Sequence, residues 1–544
     1  MSAATKKTFL QGAVILGVAG LIIKGLGAVF RIPLGNIIGD TGMGYYQTAY
    51  PIYVLLLILS NSGIPVAVSR MVSERNAIDH HYEAYRVFRV AMALLACIGL
   101  VSAAFLFFGA EFLVGISGNP NARLAMMSIA PALFFVPIMA AYRGFFQGQQ
   151  DMKPTAVSQV TEQFFRVAVG LTLAIVLAGA GLEYAAAGAS FGATAGSVAG
   201  LAAVAFIFLK RREKIMAQVR RDEKRSGETT GYILKTILVI AVPITIGAAI
   251  MPIMNVIDLA IVMRRLQAVG FTAEAANSLY GQLTGFAGPL INIPQVLTQA
   301  VAMSLVPAVA AAFKRNDLGF LRHNVELGLR VSLTVGLPCA VGLMALSEPI
   351  MLLLYPMEQA SAANAASCLF ILSFGVIFLA AVQTLTGVLQ GVGKQNIPVR
   401  NLCIGAVAKV ALTYGLTGIT ALNVRGAAIG TVAAYIIAGT LNLLAVRKYT
   451  GARFDPVVVL WKPLGASLVM WLCVWLSTKT VYPLLYGCVD SRLMANGAAT
   501  VITICLGAAV YGVMLVATRA ITSEEIRLLP GGARLARVLE RFGR

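Results

Sequence analysis

The chain consists of long apolar runs separated by short polar stretches that carry Gly, Pro and charged residues. About 14 of these runs are long enough to cross the roughly 30 Å hydrocarbon core of a bilayer as helices. The predicted spans are 9–37, 43–72, 88–110, 123–147, 155–180, 184–209, 233–263, 277–312, 323–346, 360–390, 395–420, 425–446, 457–485 and 494–519. Because a helix satisfies its backbone hydrogen bonds internally, as lipid requires, the pattern predicts an all-α polytopic membrane protein.

Composition supports the same fold class. Of 544 residues, 58% are hydrophobic and only 12% are charged, whereas soluble proteins contain roughly 45–50% and about 25% of these classes. A water-soluble fold could not bury so much apolar surface. The soluble-globular, fibrous and disordered classes are therefore excluded.

The charge distribution predicts the orientation. The formal net charge is +20, with 43 Lys and Arg residues; when the N-terminus is placed inside, 33 of them fall on the inner side, six on the outer side and four within spans. Basic residues concentrate in the cytoplasmic loops of membrane proteins. The sequence thus predicts a multi-pass protein of the bacterial cell membrane with both termini cytoplasmic, and the basicity does not indicate a nucleic-acid partner.

Motifs for covalent chemistry are missing from the sequence. The seven cysteines and three histidines have no metal-ligand spacing and suggest no disulfide framework. The sequence has no phosphate-binding GxxxxGK[ST] loop and no GxSxG or HExxH motif. We therefore expect a transporter rather than an enzyme, with no metal and no cofactor. A coupling cation such as Na⁺ or H⁺ is compatible with transport, but no motif identifies one.

The two halves of the chain resemble each other. Gly144-Phe-Phe-Gln-Gly148 followed by Pro154 matches Gly387-Val-Leu-Gln-Gly391 followed by Pro398, and the same offset places Arg166 on Lys409. Both copies have the same in/out sense, which predicts a parallel repeat and two pseudo-symmetric six-helix lobes. The predicted domains are the lobes 1–210 and 233–448, a basic cytoplasmic loop 211–232, an extra helix pair 449–520 and a basic amphipathic cytoplasmic tail 521–544.

The whole chain resembles a known membrane-protein group. The motifs are Lys24-Gly-Leu-Gly27-x-x-x-Arg31, Ser60-Asn-Ser-Gly63-Ile-Pro65 and the QG…P signature of the repeat. They resemble the polysaccharide-flippase branch of the multidrug/oligosaccharidyl-lipid/polysaccharide exporter superfamily, in particular bacterial lipid II flippases (MurJ) and stage V sporulation protein B relatives. The resemblance implies outward movement of undecaprenyl-pyrophosphate-linked sugars by alternating access, without ATP. The chain departs from many lipid II flippases in the second span, whose arginine, Arg70, lies only at the inner end.

Cations within the first span are the leading candidates for substrate contact. Lys24 and Arg31 are seven residues apart, so they share one helix face about 10 Å apart along the axis, and glycines beside them leave space. Arg31 offers a planar fork and Lys24 a point charge to a pyrophosphate. The alternative is that they pair with Asp258 or Asp40.

Other charges within spans complete the candidate site. Arg166 is a further candidate substrate ligand, although Glu162, four residues earlier, can neutralise it along the same helix. Asn255 and Asp258 share one face of the seventh span, where Asp258 could bind a coupling cation or pair with Lys24 or Arg31. Candidate gating or portal residues are Arg70, Pro252, Pro294 and Lys409. The prolines kink their helices, either for gating or for static packing.

These features predict a flippase that moves a cell-wall precursor, lipid II above all, for peptidoglycan synthesis and cell shape. Flippases for other lipid-linked polysaccharide units and multidrug/cation antiporters of the same superfamily are the alternatives. We expect a monomer that contacts the glycan lipid, anionic membrane lipids and proteins of cell-wall synthesis. In the tail, Leu535, Val538, Leu539 and Phe542 form one apolar stripe flanked by arginines, which predicts a helix on the anionic inner leaflet.

Overall fold

The computed structural model describes residues 3–222, 228–488 and 491–518; the regular secondary structure of this part of the chain is helical, with no β-strand. The helices up to the centre of the chain are α1 Ala3–Asn61, α2 Ile64–Asn76, α3 His81–Phe108, α4 Ala110–Ser117, α5 Arg123–Ile129, α6 Ala132–Gly148, α7 Lys153–Ala178, α8 Leu182–Arg221, α9 Thr230–Ala268 and α10 Ala273–Gly281. The remaining helices are α11 Gly288–Lys314, α12 Leu318–Ala345, α13 Ser347–Leu354, α14 Gln359–Gly391, α15 Asn396–Thr417, α16 Arg425–Thr450, α17 Lys462–Cys488 and α18 Arg492–Ala517. Short π-helical segments precede α11 (Gln282–Ala287) and α17 (Val457–Trp461). The all-α fold class is confirmed.

Thirteen helical segments of the described residues are long and apolar enough to cross a membrane, against about 14 predicted. The difference lies at the start of the chain, where the first two predicted spans form one segment, Ile15–Asn76. Within α1, Gly39 bends this segment because its φ of 64° and ψ of −173° lie outside the helical region. Glycine reaches that backbone conformation without the steric cost that a Cβ imposes.

The polar centre of the chain differs from the prediction as well. Helix α8 continues to Arg221, so the first half of the predicted loop 211–232 is helical. Lys, Arg and Glu in this stretch are good helix formers, and a helix can extend beyond the bilayer into water. Residues 223–227 and the tail from 519 onward lie outside the described residues, so the predicted tail helix stays a prediction.

Two compact units make up the structure, Met1–Gly285 and Phe286–Arg544. In the first unit, a core of buried apolar side chains from α2, α3, α6, α8 and α9 contains phenylalanine rings packed at an angle to one another. Phe145 lies 4.8 Å from Phe88 and 6.1 Å from Phe208, measured between ring centroids. In the second unit, Tyr511 of α18 donates a hydrogen bond to the Thr334 carbonyl of α12 at 2.7 Å, which fastens the last helix pair to the unit.

The same glycine packing occurs once in each unit, at the positions that the repeat predicts. A Cβ on Gly144 of α6 would come within 2.9 Å of the Pro65 carbonyl oxygen on α2. A Cβ on its counterpart, Gly387 of α14, would come within 2.7 Å of the Ala302 carbonyl oxygen on α11. Small residues let membrane helices approach this closely, so the repeated motif is a helix-packing element.

A second repeated contact positions the two basic residues that the repeat aligned. Gly192 of α8 packs on the carbonyl of Arg166 in α7, and Gly430 of α16 packs on the carbonyl of Lys409 in α15. Each cation therefore lies on a helix held against a glycine-bearing neighbour. This correspondence is what a parallel repeat predicts, and the domain bounds 1–210 and 233–448 stay a prediction.

Candidate anion-binding site

The first helix presents both predicted cations, in different surroundings. Lys24 is exposed and Arg31 is half-buried. A Cβ on Gly17, Gly20 or Gly25 would meet no atom within 4 Å, so the space expected beside these cations is present. The arginine guanidinium lies over the ring of Tyr50, 5.8 Å from its centroid. A cation over an aromatic face is attracted by the ring quadrupole but keeps its full charge.

A row of tyrosines runs along α1 beyond this contact. Tyr46, Tyr50 and Tyr53 follow one another at centroid distances of 5.7 and 6.1 Å. Their i, i+4, i+7 spacing places them on one helix face. The Tyr53 hydroxyl is buried and has no hydrogen-bond partner among the described residues.

Two arginines share one carboxylate next to these tyrosines. Glu162 of α7 lies 3.6 Å from Arg166, as its spacing predicted, and 3.0 Å from Arg143 of α6. Arg143 also donates a hydrogen bond to the Ser158 hydroxyl at 2.8 Å. The ion pair with Arg143 was missed in the sequence, because it depends on how α6 and α7 pack on each other.

Arg166 connects this ion-pair network to the tyrosine row. It interacts electrostatically with Tyr50 and Tyr53, and its Nε is buried with no hydrogen-bond partner in the described part of the chain. A buried donor without a partner costs on the order of 1–3 kcal/mol. This N–H group is therefore suited to donate a hydrogen bond to an oxygen of a ligand or of water.

We call these six residues (Arg31, Tyr50, Tyr53, Arg143, Glu162 and Arg166) the Arg166 cluster. Three guanidinium groups and one carboxylate give it a net charge of +2. Within apolar spans, uncompensated charge is expensive and marks sites of function. The structure thus brings Arg31 and Arg166 into one basic cluster of the first unit, whose net positive charge is complementary to an anion.

The predicted residues of α9 lie on a separate helix. Asn255 is exposed, Asp258 is half-buried and Pro252 is buried. Asp258 interacts electrostatically with Tyr280 of α10. Among the described residues no group of three or more His, Cys, Asp or Glu side chains could hold a metal ion, so a coupling-cation role for Asp258 stays a prediction.

Asp40, the alternative partner for the cations, has a structural role at the bend of α1. It is buried and accepts hydrogen bonds from the Ser278 hydroxyl at 2.5 Å and from the Gln282 amide at 2.8 Å. These contacts fasten the bend to α10 and to the π-helical segment that follows it.

The predicted gating residues occupy three kinds of position. Arg70 forms an exposed ion pair with Glu74 at 2.8 Å, with side chains 65% and 56% exposed. Pro294 is buried in α11, where Thr298 donates to its carbonyl at 3.4 Å. Lys409 is half-buried in α15. None of these positions tests a gating role, which stays a prediction for all of them.

Comparison with known proteins identifies two matching families and several relatives of similar length. Residues 9–313 match the family described as "Polysaccharide biosynthesis protein", and residues 243–415 match the MatE family. Three curated relatives come from Bacillus subtilis (strain 168). "Uncharacterized membrane protein YabM" is 28% identical over 98% of this chain and 96% of its own length. "Stage V sporulation protein B" is 27% identical over 96% and 98%, and "Lipid II flippase MurJ" is 27% identical over 92% and 94%.

Solved structures share the fold. "Lipid II flippase MurJ, inward closed conformation" aligns with a TM-score of 0.68 at 16% identity, covering 92% of this chain and 98% of that one. The inward-facing conformation of a multidrug resistance MATE family transporter aligns with a TM-score of 0.67 at 16% identity, covering 81% and 98%. The chain is a multi-pass membrane protein that belongs to the polysaccharide biosynthesis protein family, within the multidrug/oligosaccharidyl-lipid/polysaccharide exporter superfamily.

Proposed function

We propose that this protein moves lipid II, an undecaprenyl-pyrophosphate-linked cell-wall precursor, from the inner to the outer leaflet by alternating access. The observation that carries the proposal is the net positive Arg166 cluster among apolar helices. A relative of near-equal length that bears the name lipid II flippase supports this choice of substrate. Flipping of another lipid-linked polysaccharide unit is the nearest alternative. In both functions we place the protein in the bacterial cell membrane, with its N-terminus and C-terminus in the cytoplasm.

The sign of the charge selects the substrate class. An exporter of cationic drugs needs carboxylates in its binding site, whereas the Arg166 cluster holds three arginines and one glutamate. Arginine presents a planar fork of donors that matches phosphate oxygens. The cluster therefore favours a phosphorylated lipid over an organic cation, and a multidrug antiporter becomes the less favoured function.

Glu162 supplies a reversible means of binding. It neutralises Arg143 and Arg166 only in part, because one carboxylate serves two guanidinium groups. A pyrophosphate that reaches the cluster competes with this carboxylate for Arg166, whose Nε has no partner in the described residues. When the substrate leaves, Glu162 pairs again with both arginines, so the empty site does not hold two bare buried charges.

The membrane potential provides a driving force for this direction of transport. Outward movement of negative charge across an inside-negative membrane is favourable by about 2.3 kcal/mol per charge per 100 mV. The proposal includes three further roles. Asp258 couples transport to a cation, and Asn255 contacts the substrate. Gating involves Arg70, Pro252, Pro294 and Lys409.

Complementation tests the proposal in cells. A bacterium depleted of its own lipid II flippase should grow when it expresses this chain, and should fail with Lys24→Ala or Arg31→Ala, because each variant removes a phosphate contact. Arg123→Ala is the matched control, since Arg123 forms an exposed pair with Glu111 at 3.7 Å. Membrane levels of all variants are measured in parallel. Growth at the wild-type rate with both site variants would contradict the assigned roles, and failure of the unaltered, well-expressed chain would contradict lipid II as substrate.

A further inference from the structure

The second unit contains a basic cavity that the proposed transport function does not use. Its volume is about 890 Å³, and it lies between the start of α12 and the end of α16. Its lining residues are Arg322, Glu326, Arg447, Gly451, Ala452, Arg453 and Phe454. We call it the Arg322 cavity. Three arginines face one glutamate, so the lining carries a net charge of +2.

A glycine makes room for the first of these arginines. Gly451 ends α16 with a φ of 64°, in the left-handed region, and a Cβ there would lie 2.9 Å from Nη2 of Arg322. The Nε of Arg322 also points at the Thr450 carbonyl, at 3.5 Å. The negative end of the α16 dipole attracts this guanidinium. Arg322 is thus positioned by backbone groups that do not neutralise it.

The other two arginines keep their charge too. The Arg447 guanidinium lies over the Phe454 ring, 5.8 Å from its centroid, and Arg453 is exposed in a non-helical segment. No carboxylate of the described residues lies within 4.0 Å of Arg322, Arg447 or Arg453.

The corresponding place in the first unit shows the contrast. A cavity of about 750 Å³ there is lined by Arg211 and Lys214 of α8, the helix whose glycine packing on α7 corresponds to that of α16 on α15. Arg211 pairs with Asp151 at 2.5 Å, a carboxylate that lies outside the lining of that cavity. In the Arg322 cavity none of the three arginines has such a partner among the described residues, and the lining glutamate, Glu326, leaves a net charge of +2 that is complementary to an anionic ligand.

The surroundings indicate that this ligand belongs to a membrane. Three exposed aromatic residues lie close in sequence to the lining residues of the cavity. Phe320, two residues before Arg322, is 53% exposed, and Trp461, seven residues after Phe454, is 60% exposed. Tyr449, two residues after Arg447, is exposed as well. Exposed aromatic rings at the ends of spans mark the headgroup level. Basic pockets between transmembrane helices on the cytoplasmic side bind anionic headgroups.

We propose that the Arg322 cavity binds the phosphate headgroup of an anionic glycerophospholipid. The three arginines contact the phosphate oxygens, and the exposed rings lie against the glycerol and upper acyl region. This site is separate from the Arg166 cluster, and its occupancy does not depend on which lipid-linked glycan is transported.

Native mass spectrometry of the purified full-length protein tests the proposal. Dioctanoyl phosphatidylglycerol is titrated against the wild type, the triple variant R322Q/R447Q/R453Q and the control K314Q/R315Q/R400Q, which loses the same charge outside the cavity. With a loss of about fivefold per arginine, the triple variant should bind on the order of 100-fold more weakly. The control should bind like the wild type. Equal weakening in both variants would overturn the site, because net charge alone would then explain binding.

Two further arms identify the ligand and protect against misfolding. Dioctanoyl phosphatidylcholine should not bind at the same concentrations, and inorganic phosphate should compete only weakly. Tight binding of phosphate without binding of phosphatidylglycerol would assign the cavity to a soluble anion and refute the lipid proposal.

R453Q alone alters only an exposed, non-helical position, so it should fold and weaken phosphatidylglycerol binding about fivefold. Unchanged affinity of this variant would contradict the proposal.

Discussion

Replacing Glu162 by glutamine removes the carboxylate that Arg143 and Arg166 share while it preserves the shape of the side chain. The three side chains are only 13–16% exposed, so the two guanidinium groups would keep little contact with water. We expect the variant to be less stable than the wild type, because two positive charges would lie close together without their counter-charge.

The magnitude follows from the two distances. At 3.0 and 3.6 Å, with an effective dielectric constant of ~20, each contact has a Coulomb energy on the order of 5 kcal/mol. Desolvation offsets much of it, and removing one partner of a buried pair costs about 3–5 kcal/mol. Arg143 retains its hydrogen bond to Ser158, which places the expected loss near the lower value. For cooperative unfolding of the first unit, Met1–Gly285, the midpoint temperature of unfolding should fall by roughly 5 °C.

Thermal unfolding in detergent, followed by far-UV circular dichroism, measures this effect, because all three tryptophans (Trp461, Trp471 and Trp475) lie in the second unit. Glu74→Gln is the matched control: its pair with Arg70 has the same i,i+4 relation in an exposed setting, where such pairs contribute about 0.3–0.5 kcal/mol. The double variant Arg143→Gln/Glu162→Gln should recover part of the loss, since one unpaired charge is gone. If Glu162→Gln and Glu74→Gln shifted the midpoint equally, the shared-carboxylate network would be refuted.

Three further changes follow from single contacts. Tyr50→Leu should slow transport of a fluorescent lipid II analogue into the outer leaflet of liposomes, whereas Tyr50→Phe should not. The reason is that a phenyl ring preserves the cation–π contact with Arg31, which contributes about 0.5–2 kcal/mol. Equal transport rates for the two variants would contradict this role of Tyr50. Gly192→Ala should lower the folded yield by forcing α8 away from α7, whereas Gly179→Ala, with open space around it, should be neutral; size-exclusion profiles distinguish them. Asp40→Asn weakens two charge-assisted hydrogen bonds, which should speed proteolysis at the α1 bend, and an unchanged cleavage rate would count against its structural role.

The fold was predictable because lipid imposes one secondary structure. Apolar runs of this length can only be helices in a bilayer, and the QG…P repeat identified two corresponding segments whose glycines pack alike. The bend at Gly39 was not predictable, since a glycine within an apolar run is compatible with a straight helix as well as with a positive φ. The same ambiguity explains why two predicted spans became one long helical segment.

The candidate site was predictable only where residues are close in sequence. Glu162 and Arg166 are one helical turn apart, and their ion pair is confirmed. Arg143 joins them through the packing of α6 on α7, which no periodicity within one helix can reveal. The tyrosine row did have a sequence signal, the i, i+4, i+7 spacing from Tyr46 to Tyr53, but its contact with Arg31 required the fold.

The central claim concerns the substrate, and translocation in liposomes tests it most directly. Purified protein is reconstituted with a fluorescent lipid II analogue, and the fraction accessible to a membrane-impermeant quencher is followed over time. The account predicts faster equilibration than in protein-free vesicles, loss of that acceleration with Lys24→Ala/Arg31→Ala, and no export of ethidium. Export of ethidium without acceleration of the lipid II analogue would contradict it.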